Sequence, residues 1–500
     1  MPQVINTNTS ALFSQRSLNS SQRDLSIAME RLSSGKRINS AADDAAGSAI
    51  ADRMTSQVRG LNQAVRNAND TISLTKTAEG AMMEASNVMQ RMRELSIQSA
   101  SDTNTSADRQ YLQKEIELLK QELNNVSSNT EFNSQKLLDG SFTAKTFQIG
   151  SNANQNITFN IASTHSTEIG SHDIDLTGTL RTAIGAAANA AAVSNTVTAA
   201  EDLTLSGRLG TTTIDVLANN TARDVAGLVN GVINDTGVAA TAITKARLDG
   251  ISGTGTYTMN LYGKNTTTGV NISANITNTS DLSNLASAIN SKTGTTGITA
   301  ELSADKATVT LTQPEGYDVI LEDVLETGGS LATINMTGLD QDGNTSGAAQ
   351  ALGAAAITDT SLVGGSVQFS SASDYTVTSG AGGGLFANPL SNASTLSDVS
   401  SINITTQTGA NAAISVLDGA LTHVQNERAN LGSISNRLTS TISNLENISQ
   451  NTEASRSSVM DADFAKESAE LAKNQIMQQA GTAMLAQANQ LSQNVMSLLQ

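Results

Sequence analysis

An apolar residue recurs at every seventh position near both ends of the chain. Val4, Ala11, Leu18, Leu25 and Leu32 form one series, and Leu417, Val424, Leu431, Leu438 and Leu445 the other. Such a series is one position of a helical heptad, and it demands a long helix with a partner along its length. In the first series the companion position is mostly polar (Asn8, Gln15, Gln22, then Met29). That helix buries too little to stand alone. Proline would break such helices by removing a backbone donor and clashing with the preceding turn. It occurs only as Pro2, Pro314 and Pro389, so both ends run long distances without a breaker.

More helices follow from the same spacing. Gly35 and the cap-type residues from Ser33 to Ser40 interrupt the first, and Ser40 with Asp43 and Asp44 marks the start of the next. Met54, Val58, Leu61, Val65, Ala68 and Ile72 alternate by four and three, and the pattern resumes at Met82 and Met89 to reach about Ser99. After a polar turn from Asp102 to Ser106, Leu112, Ile116, Leu119, Leu123 and Val126 form a further stripe. Phe147-Gln148-Ile149, a Ser/Asn turn and the run from Ile157 to Ile161 predict a β-hairpin. Near the other end, Ile414, Leu421, Ile434, Ile442 and Ile448 widen the second series. The last helix carries Ile476, Ala480, Met484, Ala488, Leu491, Val495 and Leu498.

Composition changes in the middle. Roughly Gly178 to Ser400 is rich in Thr, Ser, Gly, Ala and Asn with short β-type runs, whereas the flanks are rich in Leu, Met, Gln, Glu and Arg. A weak repeat lies within it. Asp224 to Leu228 leads to Ile233-Asn234 and Gly237-Val238; Asp281 to Leu285 leads to Ile289-Asn290 and Gly297-Ile298. Each copy reads as strand, short helix, strand, which predicts two related α/β units. The expected fold class is mainly α at both ends, long coiled-coil-like helices from the N- and C-terminal segments pairing into a rod. A β-hairpin and a β-rich α+β central insert complete it. Boundaries are expected at residues 1–43, 44–177, 178–400, 401–455 and 456–500.

The ends are unusual in charge. Neither Met1 to Gln15 nor Asn474 to Gln500 contains a charged side chain. A surface helix of a soluble protein needs a charged outer face. Gln and Asn can instead bond laterally without the desolvation cost of ions. The reading is a helix with other helices on every side, and copies of the same chain must supply them. The ordering cost, ~1–2 kcal/mol per residue for backbone alone, would then be offset by burial between subunits, with both ends folding on polymerisation.

Few chemistries remain open. The formal net charge is -17, from 29 Lys+Arg against 46 Asp+Glu, which argues against nucleic acid as a partner. With no cysteine, disulfides, thiolate metal sites and a cysteine nucleophile are excluded. Tryptophan is absent and aromatics are 3% of residues, so burial must come from Ala, Leu, Ile, Val and Met, as in packed long helices. His165, His172 and His423 are too scattered for a ligand set, and no H-E-x-x-H motif occurs. Gly35-Lys36 and Gly263-Lys264 lack phosphate-loop spacing, and the glycine run from Gly380 to Gly384 reads as a flexible loop. Asp461 and Asp463 read as helix caps. No enzyme, cofactor or metal is expected. No apolar run approaches the ~20 residues of a membrane span, so no membrane insertion is expected. No secretory signal is visible at Met1 to Gln15, and on that ground alone the chain reads as cytoplasmic.

Two stretches resemble a known family. LSSGKRINSAADDAAG, from Leu32 to Gly47, is similar to the N-terminal signature of bacterial flagellins. IMQQAGTAMLAQANQ from Ile476 to Gln490, with NVMSLL from Asn494 to Leu499, resembles their C-terminal signature. The resemblance covers roughly residues 1–170 and 401–500. It implies a subunit of the extracellular flagellar filament, with residues 1–43 and 456–500 as inner-tube helices, 44–177 and 401–455 as a rod, and 178–400 as a variable outer domain. It implies export through the growing organelle without a cleaved signal. The implied partners are many copies of the chain itself, a flagellar export chaperone, the cap protein and the hook-associated junction proteins. Assembly positions would be Val4, Ala11, Leu18, Leu25, Leu32, Ile476, Ala480, Met484, Leu491, Val495 and Leu498. A hook–filament junction protein of the same superfamily, or an adhesive surface protein, are the alternative readings. Gln90 to Gln98 (QRMRELSIQ) further resembles the flagellin segment recognised by host Toll-like receptor 5, which implies contacts at Arg91, Leu95, Gln98 and Glu115. Met89, Ser96 and Ile97 depart mildly from the Leu, Ala and Val of many relatives. Arg91, Leu95 and Gln98, three or four apart, are expected to share one helix face.

Overall fold

The computed structural model describes residues 7–187, 193–198, 201–327, 333–353, 360–381, 383–387 and 391–497, the last seven by backbone alone. Helices α1 (Thr9–Ser34), α2 (Ala45–Ala100) and α3 (Ser106–Asn129) precede the insert. Helices α4 (Ala222–Gly231) and α5 (Ser283–Asn290) lie within it, and α6 (Gln407–Met460) and α7 (Phe464–Ser497) follow. The long helices therefore come from both ends of the sequence, and several antiparallel sheets lie between them. The chain divides into two compact units. One comprises Met1–Lys76, Ala144–Asn160 and Leu431–Gln500, the other Thr77–Thr143 and Ile161–Asn430, so α2 and α6 contribute to both.

In the first unit α1 lies antiparallel to α7. Asn8 Nδ2 donates to Ala488 O at 2.9 Å near one end, and Arg31 bonds Glu467 at 3.3 Å near the other. Gly35 ends α1 in the left-handed conformation (φ 68°), where an L side chain would be strained. The chain then reaches across, with Arg37 N donating to Met460 O at 2.7 Å and its guanidinium to Val459 O at 2.6 Å. Asp44 Oδ1 accepts from Gly47 N at 2.8 Å and so caps α2. Leu61 and Ala64 of α2 pack with Leu445 of α6, and Ala68 packs with Leu438. The hairpin of Lys145–Gln148 and Asn156–Phe159 closes over this second cluster through Ile157, with Phe147 stacked on Phe159 at 5.2 Å.

The second unit holds the rest of α2, all of α3 and the start of α6. Met82, Met89, Met92, Ile116, Leu123, Leu417 and Val424 are fully buried. Small polar residues fill further seam positions with their hydroxyls bonded. Ser96 Oγ bonds Met92 O at 2.9 Å within its own helix, and Ser99 Oγ bonds Ile404 O at 2.6 Å. Lys120 is buried with its ammonium on Ser400 O (2.9 Å), Ile402 O (2.8 Å) and Glu117 (3.0 Å).

Among the described residues the insert has two cores. One gathers Val225, Val229 and Val238 with Leu205, Phe369 and Phe386; the other gathers Leu285, Ile289 and Ile298 with Tyr257, Leu261 and Leu321. The long strand Ala239–Asp249 pairs with Val309–Gln313, Thr333–Leu339 and Ser366–Ser371. The α/β repeat is present; Gly237-Val238 matches Gly297-Ile298 as the letters do, whereas the helix before them stands in a different register. Asn230 accepts from Ala240 N and donates to Ala240 O, each at 2.8 Å; Asn290 does the same to Ala300 at 2.7 and 2.8 Å. Thr236 and Thr296 each bond the carbonyl one turn back and accept from the amide two residues on. Gly237 and Gly297 both turn left-handed. The equivalent asparagines are therefore Asn230 and Asn290. Asn234 belongs to a one-turn helix and has no such role. The glycine run is not an idle loop either, since Gly384 N and Leu385 N donate to the buried Glu201 carboxylate at 2.9 and 2.6 Å.

Candidate assembly surface

Helix α7 has two different apolar faces. The inner one, carrying Leu471, Asn474, Gln478, Gly481, Leu485 and Ala488, is half-buried or buried in the same chain. Its seam is close and uncharged beyond Lys473. Gln478 Nε2 donates to Gln22 Oε1 at 2.6 Å, and Gly481 leaves just enough room for Leu18. The Arg31–Glu467 pair closes the seam at its charged end, with the Glu467 side chain 9% exposed. The outer face carries Ile476, Met477 and Met484, exposed at 65%, 50% and 62%. On α1, Leu12, Phe13, Ile27 and Met29 are likewise exposed, Phe13 by 73%. Large apolar side chains in such number mark a surface that is covered by something else.

The expected assembly positions fall into separate groups. Leu25 is buried and Ala11, Leu18 and Leu32 half-buried, all within the single chain. Ile476, Ala480 and Met484 are exposed. Leu491 and Val495 lie on the α7 backbone, outside the described side chains, and Val4 and Leu498 lie outside the described residues. The heptad of α1 thus marks the seam with α7. The Ile476 stripe marks a face that the chain does not cover. Sequence spacing missed Ser21, buried on α1 among longer residues, and Gly481, whose role shows only against Leu18.

On α2, Arg91 is half-exposed and bonds Glu115 of α3 at 2.8 Å and Glu94 at 3.0 Å. These bonds, Glu115 first, hold its guanidinium more firmly charged than usual. Gln98 is exposed and Glu115 partly so. Leu95 is 1% exposed, which corrects the expectation that it shares their face. A helix turns about 100° per residue, which puts Leu95 as near to the exposed Arg91 and Gln98 as to the buried Met92 and Ser99, so it lies at the edge of the face and turns into the core. His172 and His423, far apart in sequence, line one cavity of about 140 Å³ with Glu168 and Asp374. Burial lowers the His172 pKa. Among the described residues no group is placed to hold a metal ion, and no helix is long and apolar enough to cross a membrane.

Similarity to known proteins runs the whole length. The family model described as the bacterial flagellin N-terminal helical region matches residues 5–143, and that of the C-terminal helical region matches residues 414–499. The B-type flagellin of Pseudomonas aeruginosa is 40% identical, over 100% of each chain. Flagellin B of Vibrio anguillarum is 33% identical over 99% of each, and polar flagellin C of Vibrio parahaemolyticus 34% over 100% of each.

Proposed function

The chain belongs to the bacterial flagellins, structural and non-enzymatic subunits of the extracellular flagellar filament, and from that premise we propose how its residues divide the work of polymerisation. The α1–α7 pair is the innermost part of each subunit, and residues 1–43 and 456–500 line the inner tube. Residues 44–177 and 401–455 form the rod around it, and 178–400 the outer domain. Ala11, Leu18, Leu25 and Leu32 join α1 to α7. Ile476, Ala480 and Met484, with Leu491, Val495 and Leu498, meet the neighbouring copies, and Val4 is a further contact in the same assembly. The terminal pair is marginal alone and becomes ordered as neighbours cover its outer face.

One observation carries this reading: the uncharged stretch of α7 from Asn474 onward exposes Ile476, Met477 and Met484 while its opposite face is occupied within the chain. Burial of such side chains is worth about 1.5–3 kcal/mol each, repeated in every subunit. Because the chain has no cysteine, Met484→Cys supplies a unique thiol. It should react quickly with a maleimide in the monomer and slowly in the filament. Equal rates in the two states would overturn the assignment.

Further partners follow from membership of the family. They are the export chaperone that keeps the terminal segments from premature assembly, the cap protein at the growing tip, and the hook-associated junction proteins at the base. Host Toll-like receptor 5 is a fourth, meeting the monomer at Arg91, Gln98 and Glu115. Leu95 supports that face from beneath.

A further inference from the structure

The methionines of this chain fall into two populations. Met82, Met89, Met92, Met259 and Met336 are buried, with their thioethers out of reach of solvent. Met477 and Met484 of α7 are half exposed or more. Met29 and Met83 are exposed too, but each is followed directly by a glutamate. Met477 and Met484 lie beyond Lys473, the last charged side chain of the sequence. Seven residues apart, they share one face of the helix. The strip they form with Ile476, Ala480 and Ala483 is exposed throughout, and none of its side chains is a hydrogen-bond donor.

An exposed thioether is open to oxidants of the peroxide class, which convert it to the sulfoxide. With hydrogen peroxide the sulfur lone pair attacks one oxygen and forms the S–O bond. The O–O bond breaks, and the second oxygen leaves as water once a proton has moved to it. The sulfur gives up two electrons and the peroxide takes them. A strong hydrogen-bond acceptor then stands where an apolar group stood. In the monomer, water satisfies the new oxygen, so the fold of the rod does not oppose the change. Between two packed copies the oxygen is desolvated on a strip that offers it no donor, and an unbonded buried polar group is costly.

We propose that Met477 and Met484 are sites of reversible oxidation that gate polymerisation. Conversion of either thioether to the sulfoxide takes the subunit out of assembly while its rod stays folded, and incorporation into a filament shields both sulfurs. The proposal rests on the reading of the outer face of α7 as a contact between copies. Reduction of the sulfoxide by a methionine sulfoxide reductase returns the subunit to competence, because this step of sulfur oxidation is reversible. The supply of subunits able to polymerise is thereby tied to the peroxide level they meet before assembly, and a filament already formed is indifferent to it at these two positions.

The test is partial oxidation of the purified full-length monomer with hydrogen peroxide, then seeded polymerisation, pelleting and peptide mass spectrometry of both fractions. Sulfoxide at Met477 and Met484 should be enriched roughly tenfold or more in the unpolymerised fraction over the pellet. Met82, Met89 and Met92 should stay reduced. Even partition of the sulfoxide, or a loss of polymerisation that follows oxidation of those buried sulfurs instead, would overturn the gate. Met477→Leu combined with Met484→Leu should polymerise as well after peroxide as before, and a variant that still loses polymerisation contradicts the proposal. Where that variant does not polymerise even untreated, the partition of the wild-type chain decides alone. Maleimide labelling of Met484→Cys separates the gate from the reading beneath it. A thiol protected in the filament, together with even partition, rejects the gate only; a thiol equally reactive in both states rejects both.

Discussion

Gly481 of α7 faces Leu18 of α1 so closely that a Cβ on the glycine would stand 3.0 Å from Leu18 Cδ1. Glycine inside a helix costs about 1 kcal/mol relative to alanine. Here it lets the two axes approach, and the apolar body of Leu18 fills the space. Gly481→Val should push the helices apart and abolish filaments. The melt of the rod helices α2, α3 and α6, followed by circular dichroism, should stay unchanged. Filaments at wild-type yield from this variant would show that the close approach is dispensable.

The two faces of α7 give opposite mutational signatures. Ile476→Asp or Met484→Asp adds a solvated charge to the monomer, so its thermal melt should not move. In the filament the same carboxylate is buried and unpaired, which costs several kcal/mol, so polymerisation should fail. Leu25→Asp differs because Leu25 is buried within the chain. It should dissolve the α1–α7 pair itself, seen as faster proteolysis of both ends. Sedimentation of Ile476→Asp as normal filaments would place its face outside the interface.

How much of this was legible is uneven. The α6 series from Leu417 to Leu445 reads directly, since a large apolar residue at each seventh position has few other uses, and all five are buried. The α2 seam reads only in part. Thr71, Thr75, Ser96 and Ser99 are buried in it, yet their types suggest surface, because their hydroxyls satisfy themselves on backbone carbonyls. The faces of α7 could not be told apart, as Leu485 and Met484 are equally apolar and only the position of α1 separates them. Three-and-four spacing misplaces Leu95 because it defines a strip wide enough to straddle the boundary between the exposed Arg91 and Gln98 and the buried Met92 and Ser99. The repeat slipped register because Ile233-Asn234 imitates Ile289-Asn290 in letters, whereas hydrogen bonding equates Asn230 with Asn290.

That equivalence can be measured. Asn230→Ala or Asn290→Ala removes two bonds to the following strand and leaves its amide and carbonyl unmatched, at about 1–3 kcal/mol of insert stability. Asn234→Ala should cost less than about 0.5 kcal/mol. Denaturant melts of the three variants check this, and filament yield should be unaffected in all. Equal costs at Asn230 and Asn234 would restore the alignment by letters.

The proposed receptor face separates into contact and support. Arg91→Ala breaks solvent-exposed ion pairs, which add little to stability, so the monomer should stay folded while Toll-like receptor 5 signalling falls. Leu95→Ala leaves a cavity and should cost about 2–5 kcal/mol of monomer stability, lowering signalling only as folding fails. A cell reporter assay read beside thermal melts distinguishes them. Undiminished signalling by folded Arg91→Ala would remove this face from recognition.

The central claim is that the uncharged segments at the two ends of the chain drive assembly of identical copies. The most direct measurement is seeded polymerisation of the purified chain, viewed by electron microscopy, with and without residues Asn474 to Gln500. The intact chain should grow long filaments from seeds. The shortened chain should remain a soluble monomer whose α2, α3 and α6 helices melt as before. Normal filaments from the shortened chain would contradict the account.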